Sequence, residues 1–476
     1  MVKPNFTTLL LLMTALLRAQ SQPQPPEAFD ITFEEVARER HYGQALRPQF
    51  HYTPIQGHIG DATGLVYYAG EYHLFYMFDE WSRRRLAHKR WGHAISTDLI
   101  HWREMPPVLD TLIDNKPGSG SAVVDWNDSS GLRDGAEKTL VLFYTDYKRG
   151  TCILYSRDRG RNWVRHEKNP VIAGAEDARD PTVFWYRAAG EWRMVRYERK
   201  GFAFYKSRNL LDWTWLSRVE GFYECPDLLE LPVRNTNERR WVLIDGDGSY
   251  VIGVFDGQQF TPQTQKLQVE YGRALYATQT WKRTLEGGPP AYQLAFLRYP
   301  MTPRLTWINQ MSFPVELTLW SFPEGIRLCR QPIDEVNNLR VSQQSWRDLV
   351  AGPGEKPLSE ADGDLLDLRA EIEPAGASDF GLILSGQEVR YSVTNGTIHL
   401  GAVSAPLKLA DKTLRLRILV DRPSIEVFAD RGQVTLSAVN LATDRGKSMK
   451  LFAEGGKIRV VSLDANRLES IWRKPE

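Results

Sequence analysis

The chain has 476 residues, 25% of them charged, with a formal net charge of +1. That length calls for two or three domains, and the balanced charge gives no electrostatic case for nucleic acid or an acidic membrane surface. Three widely spaced cysteines (Cys152, Cys225, Cys329) make neither a disulfide framework nor a zinc pattern, so buried free thiols are expected.

Lys3 precedes the apolar run Leu9–Leu17, and Arg18-Ala19-Gln20 then leads into a Pro-rich segment. This order reads as a secretory signal over 1–22, cut near Ala19, and predicts a secreted or periplasmic protein. The run is too short for a permanent membrane span, so no membrane insertion of the mature form is expected. Residues 23–47 read as an N-terminal linker, Pro/Gln-rich and then charged.

From Phe50 onward the pattern is short strands between turns. Gly64–Tyr76 reads as a hairpin turning at Ala69-Gly70-Glu71, Thr139–Tyr144 as a strand, and Thr182–Arg199 as a pair turning at Ala188-Ala189-Gly190. Trp241–Ile244 and Tyr250–Phe255 turn at Asp247-Gly248-Ser249, and Tyr292–Arg298 closes the series. Convincing long helices are absent, which makes the chain all-β.

One submotif recurs. Ser96…Asp98…Trp102, Ser156…Asp158…Trp163 and Ser207…Asn209…Trp213 share a Ser-to-Trp separation of 6, 7 and 6 residues. Each copy follows an apolar strand. A turn capped by Asp or Asn, with a Trp plugging the gap between sheets, suits a radially repeated unit, and the tryptophans are then core pieces. Past residue 325 the texture changes. After the polar stretch 346–364, Leu414, Leu416, Ile418 and Val420 alternate with Arg415, Arg417 and Leu419, which predicts a β-sandwich over 335–476.

Three acids stand in unusual settings. Asp61 sits in the small-residue turn Gly57-His58-Ile59-Gly60-Asp61-Ala62-Thr63-Gly64, where the backbone can approach a ligand closely. Asp180 precedes Pro181, which biases it to extended backbone, and follows Arg179, which would lower its pKa. Glu224 lies among Phe222, Tyr223 and Cys225, and an apolar collar would hold its carboxyl protonated. In a radial fold, acids at successive inner strand starts can meet. A pair about 5–5.5 Å apart is what a retaining glycosidase uses.

Asp61, the triplet Arg179-Asp180-Pro181 and the dipeptide Glu224-Cys225, in this order, resemble glycoside hydrolase family 32, the invertases, inulinases and levanases. Trp91-Gly92-His93-Ala94, Gly118-Ser119-Gly120-Ser121, Gln310-Met311-Ser312-Phe313-Pro314 and Ser424-Ile425-Glu426-Val427-Phe428 agree, over about residues 48–470. The resemblance implies a five-bladed β-propeller catalytic domain over 48–325 followed by a C-terminal β-sandwich over 335–476. It implies an oligo- or polysaccharide partner of the fructan type, retention of configuration, and no metal or organic cofactor. Carried over by position, Asp61 resembles the nucleophile, Asp180 the transition-state stabiliser and Glu224 the acid/base. Substrate contacts are expected at Ser119, Ser121, Arg179, Trp91, Tyr276 and Trp281.

The departures gather round the nucleophile. The family's Asn before it is Gly60, the Asn two residues after it is Thr63, the Gln of the next strand is Met77, and the Asp of a later Asp-Phe-Tyr-Ala is Ala274. His58, Gln56 and Arg273 are candidates for rebuilding the site. An exported fructosidase is therefore the leading reading. The alternatives are a non-hydrolytic glycan-binding relative, a hydrolase or transferase for an altered furanoside, and an inverting propeller glycosidase.

Overall fold

The computed structural model describes residues 41–81, 88–282, 290–300, 305–358, 364–409, 411–442 and 448–472. The signal segment 1–22 and most of the linker 23–47 lie outside them. Among the described residues the chain is all-β, in seven sheets, and no helix is long and apolar enough to cross a membrane.

Five sheets are built from successive antiparallel strands. The first holds Gly57–Tyr68, Glu71–Asp79, Arg90–Ser96 and Arg103–Asp110; the second runs from Pro117–Asp125 to Val164–Arg165. The third spans Arg179–Tyr186 to Thr214–Glu220, and the fourth Asp227–Pro232 to Phe260–Pro262. The fifth holds Leu275–Trp281, Tyr292–Leu297, Val315–Phe322 and Gly325–Pro332. The anticipated hairpins at Ala69-Gly70 and Ala188–Gly190 stand where the turn residues put them. The late segment Trp307–Ile308 returns to pair in parallel with Gly57 and His58, tying the end of this region to its beginning.

The recurring Ser–Asp–Trp motif occupies the end of the third strand in the first three sheets. In each copy the Ser hydroxyl donates to the Asp or Asn side chain two residues on, and that side chain accepts backbone N–H groups of the turn. Each Trp packs against the sheet that precedes its own. Trp163 meets Phe75 at 5.5 Å and Trp213 meets Phe143 at 5.9 Å. Trp102 of the first sheet stacks at 6.2 Å on Trp281 of the fifth.

Two six-stranded sheets form the C-terminal β-sandwich, one running from Arg340–Ala351 to Val434–Val439 and the other from Gly354–Pro357 to Val403–Pro406. Leu368, Ile418 and Val427 from one sheet meet Phe380, Leu382 and Leu451 from the other in a buried core. Within the polar stretch 346–364, Trp346–Ala351 is part of a strand paired with Ile458–Leu468. Its mostly exposed pattern marks a strand at the sheet edge, which hides its signal from apolar periodicity.

The two regions are clamped by buried polar groups. His51 is held between Asp421 at 2.8 Å and Glu426 at 2.6 Å. Burial pulls the imidazole down, but the two carboxylates more than offset this and raise it to about 9. Glu270 pairs with Arg330 at 3.1 Å and accepts from Thr435 and Ser437 of the sandwich. All three cysteines are free and buried.

Candidate active site

Four inner strands carry a break in register at their site residue. The breaks fall between Ile59 and Ala62 around Asp61, and between Gly118 and Gly120 around Ser119. Two more fall between Arg179 and Thr182 around Asp180, and between Tyr276 and Gln279. A bulge kinks the strand and re-aims one side chain off the ladder, so it places functional groups at strand starts. Thr63 locks the arrangement: its hydroxyl donates to Gly120 O at 2.7 Å and accepts from Gly120 N at 2.8 Å. Thr145 Oγ1 likewise joins Ser119 O at 3.0 Å to Asp180 N at 2.9 Å.

Asp61 is partly open to solvent and accepts from Ser119 Oγ at 2.6 Å. Burial raises its carboxyl; Ser119 opposes this, Glu224 adds to it, and Lys89 and Arg298 oppose it. Asp180 is 3% exposed. Burial first, then the charges of Asp61 and Glu224, push it up to about 7 against the pull of Arg179 and the Cys225 N–H. The local effect expected of Arg179 is therefore present but overruled. Pro181 does not hold Asp180 in extended backbone either. Its φ is +57°, a strained left-handed conformation of the kind found where the surrounding structure over-determines a site.

Glu224 stands on the loop between the third and fourth sheets, which Asp245 pins through Tyr223 N at 2.8 Å. The expected apolar collar is not there. Arg179 Nε donates to Glu224 Oε2 at 3.1 Å, and the Tyr276 hydroxyl donates to Oε1. Tyr223 is 56% exposed and turns outward, where it joins Tyr197 in flanking the Arg179 guanidinium. The tyrosine next to Glu224 in sequence thus lies against the arginine that grips the acid.

Of the other expected contacts, Ser119, Arg179 and Tyr276 touch the acids directly. Ser121 is buried one layer away and accepts from Val183 N at 3.0 Å. Trp91 and Trp281 have no exposed surface and are corrected to core residues. Trp91 Nε1 donates to Gly118 O at 3.1 Å, buttressing the strand that carries Ser119. His58 lies 3.2 Å from Asn309 Nδ2, while Gln56 and Arg273 are exposed.

Three groups escaped the sequence reading. Arg298 stands 3.7 Å over the Tyr276 ring, and Lys89 lies 5.6 Å from the Tyr147 ring. Tyr147, 54% exposed as a whole residue, has its phenol raised above its ordinary value first by burial and then by the charges of Asp180 and Asp61. Met77 is packed in the core with Trp91, and Ala274 is buried beside Leu297, so neither gives the site a polar group. Among the described residues no cluster of His, Cys, Asp and Glu fits a metal ion.

Residues 51–332 match the N-terminal domain of the glycosyl hydrolases family 32, and residues 335–467 match its C-terminal domain. The chain belongs to family 32. A levanase of Bacillus subtilis is 34% identical to this family 32 chain over 92% of it and 72% of the levanase. An extracellular exo-inulinase of Aspergillus awamori is 27% identical, covering 90% and 96% of the two. The crystal structure of exo-inulinase from A. awamori superposes with a TM-score of 0.83 at 25% identity, over 90% of this chain and all of that one. Fructan 1-exohydrolase IIa from Cichorium intybus shares the fold, with a TM-score of 0.78 at 19% identity.

Proposed function

We propose that this glycoside hydrolase releases fructose from terminal β-fructofuranosidic bonds of levan, inulin or sucrose-like substrates through a fructosyl-enzyme intermediate. The observation that carries this is the convergence of Asp61 from the first sheet, Asp180 from the third and Glu224 from the loop that follows it onto Ser119, Arg179 and Tyr276, with Asp61 and Glu224 both acting on Asp180 and Glu224 on Asp61. The levanase and exo-inulinase likenesses support the substrate class.

In the first step Asp61 attacks the anomeric carbon as Glu224 gives its proton to the departing oxygen. In the second, water attacks that carbon, Glu224 takes the proton, and the Asp61 ester bond breaks. Asp180 and Arg179 bind sugar hydroxyls beside the developing positive charge. Pushed up to about 7, the Asp180 carboxyl is roughly half protonated at neutral pH. Lys89 and Arg298 favour an ionised Asp61.

The five N-terminal sheets are read as the blades of a propeller that begins near residue 48 and, with the strand Gly325–Pro332, runs past the expected limit of 325; it is closed by Trp102 on Trp281 and by the return of Trp307–Ile308. The sandwich follows over 335–476. Export by the 1–22 segment agrees with the extracellular relative.

The test is release of fructose from sucrose, inulin and levan by the protein and by Glu224→Ala. The variant should lose it, and NMR should find the first product with retained configuration. Equal release by both forms would remove Glu224 from the mechanism. An altered furanoside is the second reading, favoured by the apolar settings of Met77 and Ala274 and by the charged Arg298 beside Tyr276. Activity on other furanosides with none on fructans would select it.

A further inference from the structure

The inner strands that carry the acids also enclose a second cavity, of about 630 Å³. Its wall includes Tyr67, Trp126, Trp185, Trp241 and Thr280, and none of Asp61, Asp180 or Glu224. Tyr67 lies six residues beyond Asp61 on one strand and Tyr186 six beyond Asp180 on another. At about 3.3 Å per residue those aromatic residues lie roughly 20 Å along the strands from the acids, while the nearest wall residues, Leu65 and Val183, lie roughly 10–13 Å away. The bonds of Gly120 to Thr63 and Gln279, and of Ser121 to Val183, form a floor between them.

Three properties of the wall point to one ligand chemistry. Tyr67, Trp126, Trp185 and Trp241 keep part of their rings uncovered, whereas Trp91, Trp281 and Trp307 are fully buried. Thr280 is 3% exposed, and its Oγ1, in the cavity wall, has no hydrogen-bond partner among the described residues. A buried hydroxyl left unpaired is costly unless a ligand or water takes it. The charged side chains of the wall are Arg187, Glu230, Arg239 and Lys282, and two of the cations are held in ion pairs, Lys282 with Asp227 at 2.6 Å and Arg239 with Glu230 at 3.0 Å.

An anion would have to displace Glu230 or Asp227 from the cations they hold, and a lipid tail would leave Thr280 unpaired beside two ion pairs. A neutral sugar chain satisfies all three properties. Its C–H faces lie on the rings, and its hydroxyls reach Thr280 and the paired charges. We propose that this cavity is a second glycan-binding site, separate from the catalytic one, that holds a neutral fructo-oligosaccharide. The choice of fructose as the sugar rests on the function proposed above; the site itself does not.

The test uses full-length Glu224→Gln protein, titrated with 1-kestose and nystose by calorimetry and tryptophan fluorescence. Two binding events are expected. Adding Trp185→Ala or Thr280→Val should weaken one of them about tenfold and leave the other, while Trp185→Phe restores most of it. In the otherwise unaltered enzyme, Trp185→Ala should leave kcat/KM on sucrose within about twofold, as expected for a residue far from the chemistry. A single event, or a second event indifferent to Trp185 and Thr280, would overturn the proposal. Binding of malto-oligosaccharide in place of 1-kestose would overturn the choice of sugar. Fructan hydrolysis with no second event sinks only this inference, and a second event without hydrolysis sinks only the catalytic reading.

Discussion

Replacing Asp180 by Asn separates what a buried carboxylate costs from what it does. Asp180 is 3% exposed, and its carboxyl is pushed from 3.8 to about 7 by burial and by Asp61 and Glu224. That gap corresponds to roughly 4 kcal/mol by which the ionised form penalises folding above neutrality. The folded state holds the proton more tightly than the unfolded one. Stability therefore falls as pH rises from about 4 to about 7, and the full penalty applies above that window. Asn keeps an acceptor for the Cys225 N–H, now at 3.1 Å, and Arg179 keeps Glu224 at 3.1 Å. The lost attraction to Arg179 returns part of the gain. The net expectation is roughly 2 kcal/mol at pH 8 and almost nothing at pH 4. Calorimetric scans of both proteins at the two pH values should show the variant melting a few degrees higher at pH 8 only. Fructose release should fall by about a thousandfold or more, since in the proposed mechanism Asp180 faces the charge that develops in the transition state. A variant that melts no higher at pH 8, or gains equally at pH 4, would refute the reasoning.

Ser119→Ala removes the hydroxyl 2.6 Å from Asp61, so the acidic limb of the kcat/KM profile should move to higher pH and kcat/KM should fall about tenfold. Arg298→Met should move the same limb in the same direction by a fraction of a pH unit, because its charge helps to hold Asp61 ionised; an unmoved limb would take Arg298 out of the site. His51, raised from 6.5 to about 9, contributes stability that is complete below about 6.5 and is lost as pH rises through about 9. His51→Gln should lower Tm at pH 7, with a cost on the order of 3–5 kcal/mol for breaking a buried pair, and should flatten the alkaline loss of stability seen in pH-dependent scans.

The parts of this molecule that the sequence makes legible are those whose signal is local. Hairpins at Ala69-Gly70 and Ala188–Gly190 follow from turn residues between apolar runs, and the Ser–Asp–Trp repeat marks the third strand because its capping bonds span only a few residues. The site is different in kind. Asp61, Ser119, Asp180 and Tyr276 are aimed by bulges, and a bulge is a mismatch between two strands that neither strand displays alone. The chemistry of the acids is set the same way. Arg179 is adjacent to Asp180 in sequence, yet burial and two acids from distant segments decide the outcome. The aromatics beside Glu224 suggest an apolar collar, yet the fold sends Tyr223 outward and brings Tyr276 from the fifth sheet to donate to the carboxyl. Arg298 and Lys89 carry no local mark at all; only the fold brings their charges to bear on Asp61. A mutation that slides the Leu275–Trp281 strand by one residue would therefore disarm the acids while leaving every catalytic residue in the chain. Such a variant should retain its strand content by circular dichroism and lose turnover, because a slip of one position turns Tyr276 to the opposite face of its sheet.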